Sequence, residues 1–377
     1  MRQAHPTSKG GTNAHARPSC KLRTGPNADL HHTEIAIKNS TGFSIIQRGA
    51  RALIAALFGA TVALAALFRL GWPELWWVEL LRYLPYPVYL VLAIAGLLAS
   101  LTLSWVWRLL ALTTLGLVLS ILMNLAWGRA DEGYGHLRVM SYNVKSYLAA
   151  AKPQNYSAMA AEIAWYDPDI LMLQDASMLA LPGTPSIIPA GYERIAMGQY
   201  VVASRHALRN CHSGEMPTLH ARHHFMRCSV LVGDRVVELI TAHLLSPRQG
   251  LNATRHDWLG GLDDWQQNYR DRLAQAEALA SAVAHIRGPL VVAGDLNASE
   301  HSPVLRVLEG TGLRDAFSSA AIGYGYTVGH ALRPGISLLR IDHILVSPEI
   351  GVSAVQTGAK EGSEHRPVIA DLLLGHE

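Results

Sequence analysis

The sequence has few cysteines and lacks the common nucleotide-binding loops. Its three cysteines, Cys20, Cys211 and Cys228, include no Cys-x-x-Cys pair, which argues against a structural zinc site. Cys211 and Cys228 could form a disulfide if their part of the chain faces an oxidising compartment, or they could be two separate thiols. No P-loop or Gly-x-Gly-x-x-Gly fingerprint is present, so nucleotide binding of those two kinds is excluded.

Charge is scarce between about residues 52 and 128. Three uncharged runs lie there, at about 52–68, 84–107 and 109–128, with arginines between them. A helix that crosses the hydrocarbon core of a bilayer needs about 20 apolar residues, with a range of about 17–25. None of the runs carries the polar stripe of a soluble helix. We therefore predict three transmembrane helices within a membrane domain at 46–130.

The charges that are present divide unevenly along the chain. Residues 1–51 have a net charge of +6, whereas residues 132–377 have a net charge of −4. Basic residues favour the cytoplasmic side of a membrane, so the N-terminus is predicted to be cytoplasmic. Three crossings then place the C-terminal part outside the cytoplasm of a multi-pass cell-membrane protein, in the periplasm if the source is a Gram-negative bacterium. Residues 1–45 lack periodicity and are predicted to be a disordered basic tail, attracted to anionic lipid.

The connection between the first two runs is rich in aromatic residues. Arg69 and Arg82 are balanced there by Glu74 and Glu79. Tryptophan and tyrosine concentrate at membrane–water interfaces. We expect such an interfacial belt from the aromatic residues of this segment: Trp72, Trp76, Trp77, Tyr83 and Tyr86.

From residue 135 onward the pattern changes to that of a soluble α/β domain. Leu137–Asn143 alternates like a strand, and Asp169–Gln174 is a short apolar run typical of a strand buried on both faces. Gly233-Asp234 separates two strand-like segments as in a hairpin. Asp264–Arg287 has a long helical pattern. Because strands alternate with helices but include hairpins, we predict a mixed-sheet α/β domain at 135–377.

Each predicted strand has a polar cluster at one end, where α/β folds build sites. The clusters are Ser141-Tyr142-Asn143, Gln174-Asp175, Thr241-Ala242-His243, Gly294-Asp295-Leu296-Asn297, Arg340-Ile341-Asp342 and Ser363-Glu364-His365. In this order they resemble the endonuclease/exonuclease/phosphatase superfamily, which includes DNase I-like nucleases, inositol-phosphate phosphatases and neutral sphingomyelinases. The resemblance covers about residues 137–375, and the Ala and Arg usage suggests a bacterial-type member. It implies a four-layer α/β sandwich of two mixed β-sheets flanked by helices.

The resemblance also implies metal-dependent attack of water on phosphorus. Mg²⁺ is the expected cofactor, with Mn²⁺ as an alternative. Asp295 matches the general base of the family, and Asn297 would orient that base or the phosphate. His243 and His365 would donate hydrogen bonds to the phosphate, while Asp342 would hold the ring of His365.

Three further residues are the expected metal ligands: Asn143, Asp175 and Glu364. Two of them depart from the family pattern, which usually has Glu where this chain has Asp175 and Asp where it has Glu364. The charge of the site is unchanged, but the reach of two ligands differs, and Mg²⁺ demands near-ideal octahedral geometry. Ala203-Ser204-Arg205 resembles a strand that lies near the substrate in this family, so Arg205 is a further candidate for substrate contact.

These features lead to one main hypothesis and two alternatives. The first is a phosphodiesterase or phosphatase anchored in the bilayer, acting on a lipid headgroup or another small phosphoester; no protein partner is predicted. The second is an extracytoplasmic endonuclease or exonuclease. The net negative charge of residues 132–377 does not support it, because neutralisation of phosphates by basic residues drives DNA affinity. The third is an inactive membrane protein that retains the fold, suggested by Asp175 and Glu364.

Overall fold

A computed structural model describes residues 27–84, 86–151, 156–219, 221–257, 260–329, 337–359 and 362–376. Four helices precede the sheets of the described chain: α1 (Asn27–Leu70), α2 (Trp76–Arg82), α3 (Pro87–Ser100) and α4 (Trp105–Leu117), the last continued by a π-helical turn at Val118–Leu122. The later helices are α5 (Ser146–Ala150), α6 (Ser157–Tyr166), α7 (Arg248–His256), α8 (Gly260–Ala284), α9 (Pro303–Glu309) and α10 (Ala316–Ala320).

Two of these helices are long and apolar enough to cross a membrane, namely Ser44–Leu70 within α1 and Trp105–Leu122. Helices α2 and α3 meet that criterion only as a pair bent by 76°. The predicted segment 84–107 is thus not one continuous helix, and its crossing of a membrane stays a prediction. Helix α3 has 14 residues, or about 21 Å, which is short of the roughly 30 Å of a hydrocarbon core.

The break after α3 has a local cause. The hydroxyls of Ser100 and Thr102 donate to the carbonyls of Leu97 and Ala99, and such local bonds favour a turn over continued helix. The backbone is then extended at Ser104, directly before α4.

The N-terminal boundary also differs from the prediction. Helix α1 begins at Asn27, so residues 27–45 are helical where a disordered tail was expected. Asn27 and Asp29 are of the residue types favoured at helix N-termini. Residues 1–26, the rest of the predicted tail, lie outside the described residues.

Fourteen strands are described: β1 (Ala126–Trp127), β2 (Gly133–Asn143), β3 (Ile170–Gln174), β4 (Glu193–Met197), β5 (Tyr200–Ser204), β6 (Leu208–Pro217), β7 (Arg222–Val232), β8 (Arg235–His243), β9 (Leu290–Asp295), β10 (Arg314–Asp315), β11 (Ile322–Gly323), β12 (Asp342–Val346), β13 (Gly351–Thr357) and β14 (Val368–His376). They form two six-stranded sheets, with orders β13-β14-β2-β3-β5-β4 and β10-β12-β9-β8-β7-β6, and a small β1–β11 pair. Each large sheet has one parallel pair, β2–β3 or β8–β9, among antiparallel neighbours.

Alternate residues along the strands face two different cores. Val139 and Val291 point into the core between the sheets. Their neighbours face outward, Met140 toward Met159 of α6 and Val292 toward the inner side of α8. Burial on both faces explains why these strands are continuous apolar runs. The prediction of two mixed sheets flanked by helices is confirmed.

The two cysteines of the second sheet are joined. Cys211 of β6 and Cys228 of β7 form a disulfide, with their Cα atoms 4.1 Å apart. The register of the two strands shifts between Arg209 and His212, and Cys211 lies in this irregularity. Of the two alternatives that the sequence left open, the structure contains the disulfide.

The approach of β9 to β8 leaves no room for a side chain at Gly294. A Cβ at this position would overlap the carbonyl oxygen of Ala242. We expect Gly294→Ala to lower the free energy of unfolding by about 1–3 kcal/mol, the usual range for overpacking. Gly288→Ala is the control for backbone strain without a clash, because Gly288 has a φ of +87° but no atom beyond its chain neighbours within 4 Å of an added Cβ. Equal thermal unfolding of Gly294→Ala and wild type in detergent would contradict the close approach.

Candidate active site

The ends of four strands converge on Asp295. In the parallel pair β8–β9, His243 lies opposite Asp295, and in the antiparallel pair β9–β12, Asp342 lies opposite it. From the other sheet, Asn143 at the end of β2 donates its Nδ2 to Asp295 Oδ2 at 2.8 Å. The Asp295 carboxylate is therefore held between the two sheets, and the residue is only 1% exposed.

Two imidazoles flank this carboxylate. His243 Nε2 lies 3.5 Å and His365 Nδ1 3.8 Å from Asp295 Oδ2. His365 Nδ1 is closer to Asp342 Oδ2, at 2.9 Å, so Asp342 holds the ring. Burial opposes a charge on His365, but the carboxylates of Asp342 and Asp295 outweigh burial and raise its pKa. With Nδ1 engaged, Nε2 is the nitrogen left for a ligand.

A lysine that the sequence analysis did not single out completes the charges of the site. Lys145 Nζ lies 2.8 Å from Asp175 Oδ2. Burial favours protonation of Asp175, but the charges of His243 and Lys145 prevail and lower its pKa. Burial likewise opposes the charge of Lys145, while Asp175 and Asp295 raise its pKa. The only signal in the sequence was position, because Lys145 follows Asn143 at the end of the same strand.

The turn after β9 fixes the orientation of Asp295. Asn297 donates its backbone N–H to Asp295 Oδ1 at 3.1 Å and its Nδ2 to the carbonyl of Leu244 at 2.9 Å. Asn297, Asp175 and Lys145 all have positive φ, at 46°, 50° and 42°. Such conformations are uncommon for residues with a side chain and often cluster at functional sites.

Glu364 lies at the mouth of the site. Its side chain is 45% exposed and lies 3.7 Å from Arg248 Nη2. Because Arg248 lines the same cleft as Asp295, Glu364 is near the other candidates, but its role as a metal ligand stays a prediction.

Arg205 lies away from the site. It pairs with Asp167 and with Asp169, the latter at 3.6 Å. Ser204 lies opposite Ile170, the first residue of β3, because β5 runs antiparallel to β3. Asp175 follows the other end of β3, roughly 16 Å away for a strand of this length. This position argues against contact of Arg205 with substrate, and its role stays a prediction.

Gln199 is a site residue that no sequence pattern indicated. Its Oε1 lies 2.8 Å from His243 Nδ1, which fixes the ring and directs Nε2 toward Asp295. The next residue, Tyr200, accepts a hydrogen bond from the backbone N–H of His243 at 3.0 Å. Gln199 belongs to the two-residue turn between β4 and β5, and only the folded sheet brings that turn to His243.

Part of the site opens into a cleft of about 280 Å³. Its polar end is formed by Lys145, Asp295, Asn297 and His365, and its apolar residues are Leu251, Val328, Leu339 and Ile341. Tyr83, from the connection between α2 and α3, also lines the cleft.

The donor set fits a divalent metal. One ligand atom each of Asp295, Asp342 and His365 lies within 4.8 Å of the others. Asn143 and Asp175 add an amide and a carboxylate at the same strand ends. Magnesium and manganese prefer carboxylate and carbonyl oxygens. A divalent cation would also offset the negative charge of the carboxylates of Asp175, Asp295 and Asp342, which the single positive charge of Lys145 does not balance.

Two mixed sheets with buried carboxylates and imidazoles at one end define an α/β sandwich with a candidate hydrolytic site. Residues 140–365 match the Endonuclease/Exonuclease/phosphatase family. The chain belongs to this family, whose members hydrolyse phosphoesters. A search of curated proteins finds no match.

Several solved structures are similar to the chain. Mannosyl-6-phosphatase of Bacteroides thetaiotaomicron VPI-5482 is 16% identical, with a TM-score of 0.48, and the match covers 63% of this chain and 99% of that one. The catalytic domain of human Nocturnin, with a bound sulfate anion, is 19% identical, with a TM-score of 0.48, over 64% of this chain and 94% of that one. Truncated Caenorhabditis elegans TDP2 is 19% identical, with a TM-score of 0.48, and the match covers 63% of this chain and 97% of that one.

The positions of Gln199 and Arg205 lead to opposite predictions for the effect of an alanine substitution on kcat. Gln199→Ala frees the His243 ring, and we expect kcat for a phosphodiester to fall by about 10–100-fold, as for other groups that orient a working histidine. Arg205→Ala should leave kcat and KM at their wild-type values. Steady-state kinetics of the full-length protein in detergent, with bis-p-nitrophenyl phosphate, measures both. A loss in Arg205→Ala as large as in Gln199→Ala would contradict this description of the site.

Proposed function

We propose that the protein is a membrane-anchored, metal-dependent phosphoester hydrolase in which Asp295 is the general base. The observation that carries the proposal is the position of the Asp295 carboxylate. It is buried at the cleft, accepts a hydrogen bond from Asn143 at 2.8 Å and lies 3.5 Å from His243 Nε2. A carboxylate oriented from three sides and open to a cleft suits abstraction of a proton from water.

In the proposed reaction a water beside Asp295 attacks phosphorus and passes its proton to the carboxylate. The bond from phosphorus to the leaving oxygen breaks on the opposite side. His365 Nε2, His243 and Lys145 supply donors and positive charge to the non-bridging oxygens, where negative charge develops. Asn143, Asp175 and Glu364 are the residues proposed to hold Mg²⁺ or Mn²⁺, while the adjacent group of Asp295, Asp342 and His365 is proposed to act on the water and the phosphate. When bound, the metal supplies Lewis-acid polarisation of the phosphate.

The helices support an anchored, multi-pass arrangement. Apolar side chains on their outer surfaces are exposed, such as Val91 at 64%, Leu98 at 61% and Trp105 at 72%. Soluble monomers rarely expose large contiguous apolar patches. Gln47 donates to the carbonyl of Thr102, and Arg82 donates to that of Phe68. Helices α1 and α3 are therefore antiparallel, which suits three crossings if α2 and α3 together form the second one.

The same arrangement supports a catalytic domain outside the cytoplasm. Phe68, near the end of α1, contacts Arg306 of the catalytic domain through its carbonyl. Gln47 is at the other end of the apolar segment. A cytoplasmic N-terminus and an external catalytic domain follow if α1 spans the bilayer. The Cys211–Cys228 disulfide also suits an oxidising compartment.

A lipid phosphoester is the substrate that the cleft favours. Val328, Leu339 and Ile341 of the cleft belong to the same buried apolar cluster as Phe68 of α1 and Leu122 after α4. One side of the cleft is thus continuous with the apolar helices. A phosphate beside Asp295 could leave an attached apolar group along this wall, toward the bilayer.

The two alternatives have less support. An extracytoplasmic nuclease needs attraction to a polyanion, but residues 132–377 carry a net charge of −4. An inactive protein was suggested by the departures at Asp175 and Glu364. Asp175 nevertheless lies in the site, 2.8 Å from Lys145 and 3.7 Å from His243, which favours a functional site.

Hydrolysis of bis-p-nitrophenyl phosphate by the full-length protein tests the activity. We expect turnover with Mg²⁺ or Mn²⁺, none with EDTA, and a loss of about 10²–10⁴-fold in Asp295→Asn, because the variant lacks the base. Asp234→Asn, at an exposed turn, is the matched control and should retain full activity. Equal inertness of wild type and Asp295→Asn with every metal would favour the inactive alternative.

A comparison of three substrates tests the substrate class. A diacyl phospholipid in mixed micelles should be hydrolysed with a higher kcat/KM than its deacylated glycerophosphoester, since only the lipid can use the apolar wall. Plasmid DNA should be cleaved slowly or not at all. Turnover of DNA alone would overturn the lipid assignment and favour the nuclease alternative.

A further inference from the structure

The connection between the first two apolar helices enters the catalytic domain. Glu79 is 1%, Arg82 2% and Tyr83 7% exposed. The expected interfacial belt is therefore only partly formed, since Tyr83 and Tyr86 are buried. Trp72 and Trp77, at 53% and 42% exposed, remain available at the surface. Burial of charged groups in a connection between apolar helices requires partners, and these partners lie next to the catalytic turn.

The hydroxyl of Tyr83 reaches the turn that carries the general base. It donates to the backbone carbonyl of Asn297 and accepts from Arg272 Nη1, which lies 2.7 Å away. The same Nη1 donates to the Asn297 carbonyl at 3.0 Å. Because the Asn297 N–H binds the Asp295 carboxylate at 3.1 Å, the hydroxyl of Tyr83 is two hydrogen bonds from the proposed base.

Glu79 connects the segment that carries Tyr83 to helices α8 and α9, which lie on either side of the turn after β9. Its Oε1 accepts from Ser302, at the start of α9, at 2.7 Å and lies 3.3 Å from Arg272 Nη1 in α8. Its Oε2 accepts from Arg82 at 2.9 Å. Arg272 is fully buried, so its guanidinium depends on a carboxylate that the membrane domain provides.

The ring of Tyr83 is also held in place. It packs edge-on against Trp265 of α8 at 5.8 Å, and the Arg272 guanidinium lies 5.3 Å from its centroid. The ring lines the cleft beside Asp295 and Asn297. Its position is therefore fixed from the catalytic side, although the residue belongs to the segment between two apolar helices.

We propose that Tyr83 is a positioning residue of the active site, acting through Asn297 on Asp295, and that docking of α2 makes the site competent. The inference rests on the proposed hydrolase activity. It assigns the membrane domain a part in catalysis beyond attachment to the bilayer. The left-handed backbone of Asn297, with φ of 46°, is the conformation that this contact holds.

Tyr83→Phe tests the proposal, since it removes the hydroxyl and keeps the ring. In full-length protein in detergent, we expect kcat for bis-p-nitrophenyl phosphate to fall by about tenfold, comparable to other losses of an orienting contact. KM should be unchanged, because the contact orients the base and does not bind substrate. Tyr89→Phe is the control: the Tyr89 hydroxyl donates to the carbonyl of Leu81, within the membrane domain. It should retain wild-type kinetics.

A double-mutant cycle separates positioning through Asn297 from a general effect on the fold. If Tyr83 acts by orienting Asp295 through the backbone of Asn297, Tyr83→Phe should cause no further loss of kcat in an Asp295→Asn background, where there is no base left to orient. Losses that multiply, or a rise in KM with unchanged kcat, would overturn the proposal. So would wild-type kinetics in Tyr83→Phe, and the hydrolase assignment would then still stand. An inert wild-type protein would overturn both.

Discussion

The buried carboxylate of Asp295 is the constraint around which the site is arranged. A carboxylate that is 1% exposed is stable only with hydrogen-bond donors or positive charge around it. The first sheet supplies Asn143, the second supplies His243, and the following turn supplies the N–H of Asn297. These donors come together only when both sheets pack with their polar ends aligned. The packing of the two sheets therefore also fixes the geometry of the site.

Much of the fold could be predicted because its strands have a strong local signal. The interior of a strand buried on both faces, such as the predicted strand Asp169–Gln174, must be apolar, and the structure places β3 there. The polar ends of the predicted strands identified Asp295, His365 and His243 before any geometry was known. Gln199 and Arg205 could not be placed from the sequence. Gln199 lies in the turn before β5, at the end next to the site, and Arg205 follows the opposite end of β5. The direction of a strand within its sheet is set by long-range pairing, which a single sequence does not encode locally.

The N-terminal apolar helices were predicted less well for a related reason. Apolar composition located the helices, but hydropathy alone does not register the turn at 101–104 or the bend between α2 and α3. Tyr83, Glu79 and Arg82 resemble an ordinary interfacial loop in sequence, since aromatic and charged residues are common there. Their buried partners, Arg272 and Ser302, are about 190–220 residues away in the chain. Such contacts become visible only in the folded protein.

The Glu79–Arg272 contact has a consequence for how the protein is made. A ribosome completes the apolar helices before it begins α8, and domains generally form in the order of synthesis. Arg272 can be buried without an uncompensated charge only once Glu79 is in place beside it. The region around Arg272 thus receives its last structural partner from a segment that is synthesised 193 residues earlier. Until that segment is docked, the guanidinium beneath the turn that follows β9 has no carboxylate beside it.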